Sequence, residues 1–221
     1  MPEDFVYPLT AEQRYFYDYQ KAAPKSTMYN HFPMLMRLRD FVDAEKLSQA
    51  IIKTLQFHPA FLTVVEELQG IPVQRYIPGI IDSIPAEKIS EAEFLRIKDD
   101  LIQPFGLDGE ALCRFRIFIT EKHKYLFWDD HHIICDGTGK VNFFHDLHKV
   151  YDGQEIECDS WFAYLQEREA EKSSSHYAES KKWHEDFYGH HDFCGYPAAD
   201  FAVLGGGAQQ ARPFADTFRH K

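Results

Sequence analysis

The chain of 221 residues carries 24 Lys and Arg against 35 Asp and Glu, a formal net charge of −11, with 44% hydrophobic and 15% aromatic residues. That length and apolar content exclude a disordered chain and a miniprotein that needs staples, and the acidic balance argues against nucleic acid or an anionic membrane surface as partner. The four cysteines, Cys113, Cys135, Cys158 and Cys194, form no C-x-x-C and no cluster, so neither a disulfide framework nor a zinc ribbon fits. The start has no basic region followed by an apolar run, and no segment approaches a membrane span, which reads as a cytoplasmic protein with no membrane partner.

Thr10 and Gln13 have capping-box spacing and open a helix to about Lys21. Alternation of Met34, Met36 and Leu38 with Leu35, Arg37 and Arg39 predicts a strand from near Pro33. Asp43 caps a helix whose Leu47, Ala50, Ile51 and Leu55 share a face, and which stops before Pro59. Phe61 to Glu67 and Ile71 to Ile77 read as a hairpin around Leu68, Gln69 and Gly70. Ser90 and Glu93 form a second capping box, opening a helix with Phe94, Ile97, Leu101 and Ile102 inward. Ala111 to Thr120 and Tyr125 to Ile134 are the most strand-like runs, joined by a polar turn. A helix follows to about Tyr151 with Val141, Phe144, Leu147 and Val150 as its stripe. Two more helical stretches, Ser160 to Lys172 and His176 to Tyr188, flank a serine run, and periodicity then ends. Intermixed helices and antiparallel hairpins give an α+β class: a mixed, largely antiparallel sheet with helices packed on one face.

The chemistry concentrates in Trp128-Asp129-Asp130-His131-His132-Ile133-Ile134-Cys135-Asp136-Gly137. Adjacent residues of a strand face opposite ways, so one histidine is structural and the other is free to work in a cleft. Gly137 is read as a sharp turn with φ > 0, and Asp136 as the cap of the next helix. A metal is not expected, because His-x-x-x-Asp supplies two ligands at most and only if the turn folds back. His190-His191-Asp192 lacks the following glycine and helix, and reads as inert.

His131-His132-Ile133-Ile134-Cys135-Asp136-Gly137 resembles the HHxxxDG motif of condensation domains of nonribosomal peptide synthetases, in the chloramphenicol acetyltransferase-like superfamily. Leu9 to Arg14 resembles the first motif of that family. Pro104-Phe105 with Leu112 to Arg116 resembles the entry to the strand before the motif, and FFHDLHKVYDG over Phe143 to Gly153 resembles the helix after it. The resemblance covers about residues 5 to 190 in order. It implies one lobe of a two-lobed enzyme, residues 1–190 being the N-terminal lobe and 191–221 a tail or crossover to a second lobe that this chain lacks.

In that family the lobes enclose a tunnel entered by phosphopantetheine arms of donor and acceptor carrier proteins, and an amine attacks a thioester to form an amide. No cofactor is bound directly. The resemblance makes His132 the catalytic residue, as base or as a positioning group. His131, Asp136 and Gly137 are then structural members of the motif, and Cys135, Thr138 and Gly139 become candidates for the substrate channel. The arginines that flank the family's second motif, one of which pairs with the motif Asp, have no counterpart around His58-Pro59, so Arg114, Arg116 or Arg37 would have to replace them. Two alternatives stay open: a stand-alone acyltransferase of the superfamily, and a non-catalytic condensation-like module that docks carrier proteins. An isolated lobe is expected to be inactive and to self-associate through its uncovered face.

Overall fold

Short-range signals fix most elements. In the computed structural model, which describes residues 5–26 and 30–189, the Thr10 hydroxyl accepts the Gln13 N–H at 3.2 Å and the Gln13 side chain accepts the Thr10 N–H at 3.0 Å. This closed capping box starts α1 (Ala11–Ala22). Asp43 caps α2 (Ala44–Phe57) by accepting the Lys46 N–H at 2.9 Å, and the chain then enters a short 3-10 turn at Pro59.

Two sheets result. In the first, β1 (Val6–Pro8) pairs antiparallel with β4 (Ile71–Tyr76), which pairs antiparallel with β3 (Thr63–Leu68). Leu68 pairs with Ile71, so the loop is two residues long rather than the three expected, and Gln69 and Gly70 have the positive φ values, 54° and 80°, that a tight hairpin turn demands. The second sheet runs β2 (Met34–Arg37), β7 (Lys124–Asp130), β6 (Cys113–Ile119), β5 (Ala86–Lys88), with only β5 parallel to its neighbour. The mixed, largely antiparallel α+β architecture follows the sequence expectation.

Phe115, Ile117, Leu126 and Trp128 project from one face of this sheet into the main core, which α2 and α4 (Gly137–Tyr151) cover. The opposite face carries a smaller cluster in which Phe94 of α3 (Glu91–Ile97) packs with Leu101, Phe118 and Phe127, so a short helix adds partial cover there. That helix yields to a 3-10 turn at Lys98–Asp100 before the expected Leu101 and Ile102. The stripe of α4 also differs from expectation: Lys140, Phe143, Leu147 and Val150 are buried, while Val141 is 66% exposed. Phe143 wedges among Phe61, Phe115 and Trp128, while the expected Phe144 also packs on Trp128, so the buried stripe widens towards Lys140 and Phe143 and only Val141 leaves it.

The chain divides into two compact units, residues 1–170 and 171–221. The first includes nearly all of α5 (Trp161–Glu171), whose Leu165 is buried. The second is described as far as α6 (Ser175–Gly189), which buries no residue and carries a stacked Trp183 and Phe187. The predicted tail at 191–221 and the triad His190-His191-Asp192 lie outside the described residues. No helix among the described residues is long and apolar enough to cross a membrane.

Candidate active site

Strand β7 ends at Asp130, four residues before the expected Ile134, because the backbone turns once it has passed the bridge between His31 and His131. The two histidines then part. His131 is fully buried; its Nδ1 accepts the Ile133 N–H at 3.0 Å, which leaves its proton on Nε2. Burial, reinforced by the neighbouring His31 and His132, pushes its pKa down to about 3, so it is neutral. His132 is half-buried and lines a cleft of about 640 Å³ with residues of α1, the His58 corner, the start of α4 and α5. Its backbone N–H donates to Asn30 at 2.8 Å, and among the described residues neither ring nitrogen has a hydrogen-bond partner. The ring stacks parallel to two neighbours, Phe16 with centroids 5.3 Å apart at 5° and Phe32 at 5.5 Å and 8°. This imidazole is held in plane with its polar edge free, a fit arrangement for exchanging a proton or orienting an amine.

The segment after the histidines is anchored from behind. Gln13 donates to the Ile133 carbonyl at 3.1 Å and exchanges hydrogen bonds with Gln74, tying α1, β4 and the motif loop together. Asp136 caps α4 by accepting the Gly139 N–H at 2.7 Å. None of the three arginines proposed to replace the family's partner reaches it: among the described residues Asp136 has no ion pair. Arg114 instead approaches Asp129 at 3.5 Å, and Arg116 grips Glu87 through two hydrogen bonds of 2.7 Å.

Gly137 also departs from expectation, since it begins α4 without a positive φ, and a Cβ there would stand 4.0 Å from Phe32, ordinary contact. Space is tighter at Gly139, where a Cβ would lie 3.1 Å from Cys135 Sγ and would need that side chain to give way. Cys135 and Gly139 line the cleft, whereas Thr138 is exposed and does not. Burial, with Asp130 nearby, pushes the Cys135 thiol well above its ordinary pKa, so it is no nucleophile. Among the described residues no group of three or more His, Cys, Asp or Glu side chains is arranged to hold a metal ion.

Behind this front lies a set of buried charges that sequence periodicity did not reveal. Asp129 accepts from His31 Nδ1 at 2.9 Å on one face of β7, and His31 stacks on Phe105. On the other face Asp130 pairs with Lys140, the two side chains 0% and 3% exposed. Burial raises the Asp130 carboxyl to about 7 against the pull of Lys140. His58 sits on the cleft wall between two carboxylates, 3.1 Å from Asp146 and 3.4 Å from Asp159. The signal was present in part: two adjacent aspartates closing an apolar strand require partners when the strand is buried.

Residues 3–193 match the family described as condensation domain. The chain belongs to that family. It is 32% identical to surfactin synthase subunit 1 of Bacillus subtilis (strain 168) over 153 residues, which are 69% of this chain and 4% of that protein. It is 30% identical to tyrocidine synthase 3 of Brevibacillus parabrevis over 151 residues, 68% of this chain and 2% of that one. Among solved structures, the starter condensation domain of rhizomide synthetase superposes with a TM-score of 0.71 at 17% identity, covering 83% of this chain and 48% of that domain. The first condensation domain of the calcium-dependent antibiotic synthetase, in complex with a substrate analogue, gives a TM-score of 0.62 at 20% identity, covering 85% and 49%. This chain therefore spans a small part of the synthetases it resembles and about half of the solved domains whose fold it shares.

Proposed function

We propose that this chain is the N-terminal lobe of an amide-forming condensation domain, working on acyl groups held as thioesters on the phosphopantetheine arms of donor and acceptor carrier proteins. The observation that carries this reading is the His132 imidazole, clamped between Phe16 and Phe32 with both ring nitrogens free on the wall of an open 640 Å³ cleft. The acceptor amine attacks the donor carbonyl, the C–N bond forms, the C–S bond breaks, and the thiol leaves with a proton. His132 accepts a hydrogen bond from the attacking amine, as base or as orienting group, and so favours the geometry in which nitrogen meets carbon. His131 and Asp136 act on the fold of the loop, and Cys135 and Gly139 form part of the channel wall.

The test is a condensation assay with loaded donor and acceptor carriers, run on this chain fused after residue 193 to the half of the rhizomide starter domain that it does not cover. Amide product that disappears in His132→Ala supports the reading; product indifferent to His132→Ala overturns it. A fused protein that binds carriers and makes no amide assigns the chain instead to a docking module, the reading favoured by an Asp136 without an arginine partner.

A further inference from the structure

Lys140 is the least expected residue of the core. It stands one turn into α4, is 3% exposed, and pairs with the fully buried Asp130. Burying both charges costs free energy that their attraction only partly returns, and two apolar residues would serve the packing as well or better. What the pair touches indicates what it does. The Lys140 ammonium donates to the Phe32 carbonyl and lies 4.2 Å from the centre of the Phe32 ring. The Phe32 N–H donates to the Asp130 carbonyl at 2.9 Å. Phe32 is thus fixed at its N–H, at its carbonyl and over one ring face, and its ring stacks at 8° on His132.

We propose that Lys140, with Asp130 as its counter-ion, is a positioning residue that holds Phe32 as one jaw of the clamp on the His132 imidazole. This rests on the reading of His132 as the group that meets the substrate. A histidine ring turns about its outer side-chain bond unless neighbouring rings fix its plane. Phe16 comes from the well-anchored α1, but Phe32 lies in an irregular segment just before β2 and requires a fastening of its own. Lys140 supplies it from the first turns of the helix that Asp136 caps, so the jaw, the cap and the motif loop move together.

The experiment replaces the ion pair by apolar residues in the 221-residue chain, Asp130→Leu with Lys140→Met, and reads histidine ring-proton NMR shifts, with His132 assigned through its loss in His132→Gln. The two rings stacked parallel to it shift the His132 protons upfield in the parent. The double variant is expected to keep or raise its melting midpoint while those resonances move towards the values of an unstacked histidine. In the fused domain, kcat should fall about 10- to 100-fold with KM held within about twofold, the pattern of a misoriented group rather than a lost binding surface. A folded double variant with unmoved His132 resonances overturns the proposal. Asp130→Asn with Lys140→Gln is the second variant, read in the same way, and failure of both to fold assigns the pair to the fold alone and also overturns it. A parent fusion without amide activity rejects the functional reading, while the resonances still decide the positioning claim.

Discussion

His131 and His132 are the same residue type at adjacent positions, and the turn that follows Asp130 sends one into the core and the other to the cleft. The neutral His131 contributes to pH dependence with a definite sign. Its pKa falls to about 3 in the folded state against an ordinary value of about 6.5, so the unfolded chain binds the extra proton, and the stability this group supports is lost as pH falls from about 6.5 towards 3. Asp130 acts oppositely: raised to about 7, it favours the fold when protonated and costs stability as pH rises from about 4 through 7. His131→Asn keeps an acceptor for the Ile133 N–H and removes the titration. The variant should be less stable than the parent at about pH 7, and the gap should narrow at about pH 4.5, measured by urea midpoints; a gap of constant size would show that His131 does not resist protonation. Asp136→Ala removes the cap of α4 and should cost about 0.5–2 kcal/mol. With no buried arginine left behind, the loss should not exceed that of a cap, and a melting-midpoint drop equivalent to about 4 kcal/mol or more would reveal a partner that the geometry does not show.

At the scale of elements, α4 shows what patterning conveys and where it stops. An apolar stripe read from Val141 and Phe144 treats Lys140 as a surface residue, because lysine is rarely buried without a partner. Its partner stands ten positions earlier on another element, where no periodicity connects the two. The structure therefore predicts that Phe143→Ala costs about 3–5 kcal/mol, since that ring is fully buried against Phe61 and Trp128. Val141→Ser, by contrast, should change stability by less than about 0.5 kcal/mol. Thermal midpoints of the two variants distinguish the observed stripe from the expected one. The caps at Thr10, Asp43 and Ser90 and the hairpins were legible because each depends on spacings of a few residues, although Ser90 only accepts the Glu93 N–H and closes no reciprocal box among the described residues. The parting of the two histidines was expected from alternation along a strand, but it arises from the turn after Asp130. The strands β1 and β5, three residues each, were too short to show alternation and exist only through their neighbours. The clamp was illegible for a similar reason: Phe16, Phe32 and His132 come from three separate segments that only tertiary packing assembles.

At the scale of the whole molecule, the decisive quantity is that this chain covers 48% of the rhizomide starter domain at a TM-score of 0.71. Amide formation between two carrier-bound groups requires the thioester carbonyl and the amine to be held within reacting distance from opposite sides, and much of the barrier reduction comes from that positioning. The cleft that His132 lines is bounded by α1, the His58 corner, the start of α4 and α5, all of which belong to the half of the fold described here, so this half alone is not expected to hold two substrates from opposite sides. The chain alone is therefore expected to form no amide between loaded carrier proteins. Exposed Trp183 and Phe41, at 57% and 83%, should also make it self-associate as concentration rises, so the assay belongs at concentrations where sedimentation shows a monomer. His132-dependent product from that monomer would refute the need for a second lobe; product seen only once oligomers form would indicate that a second copy supplies the missing wall.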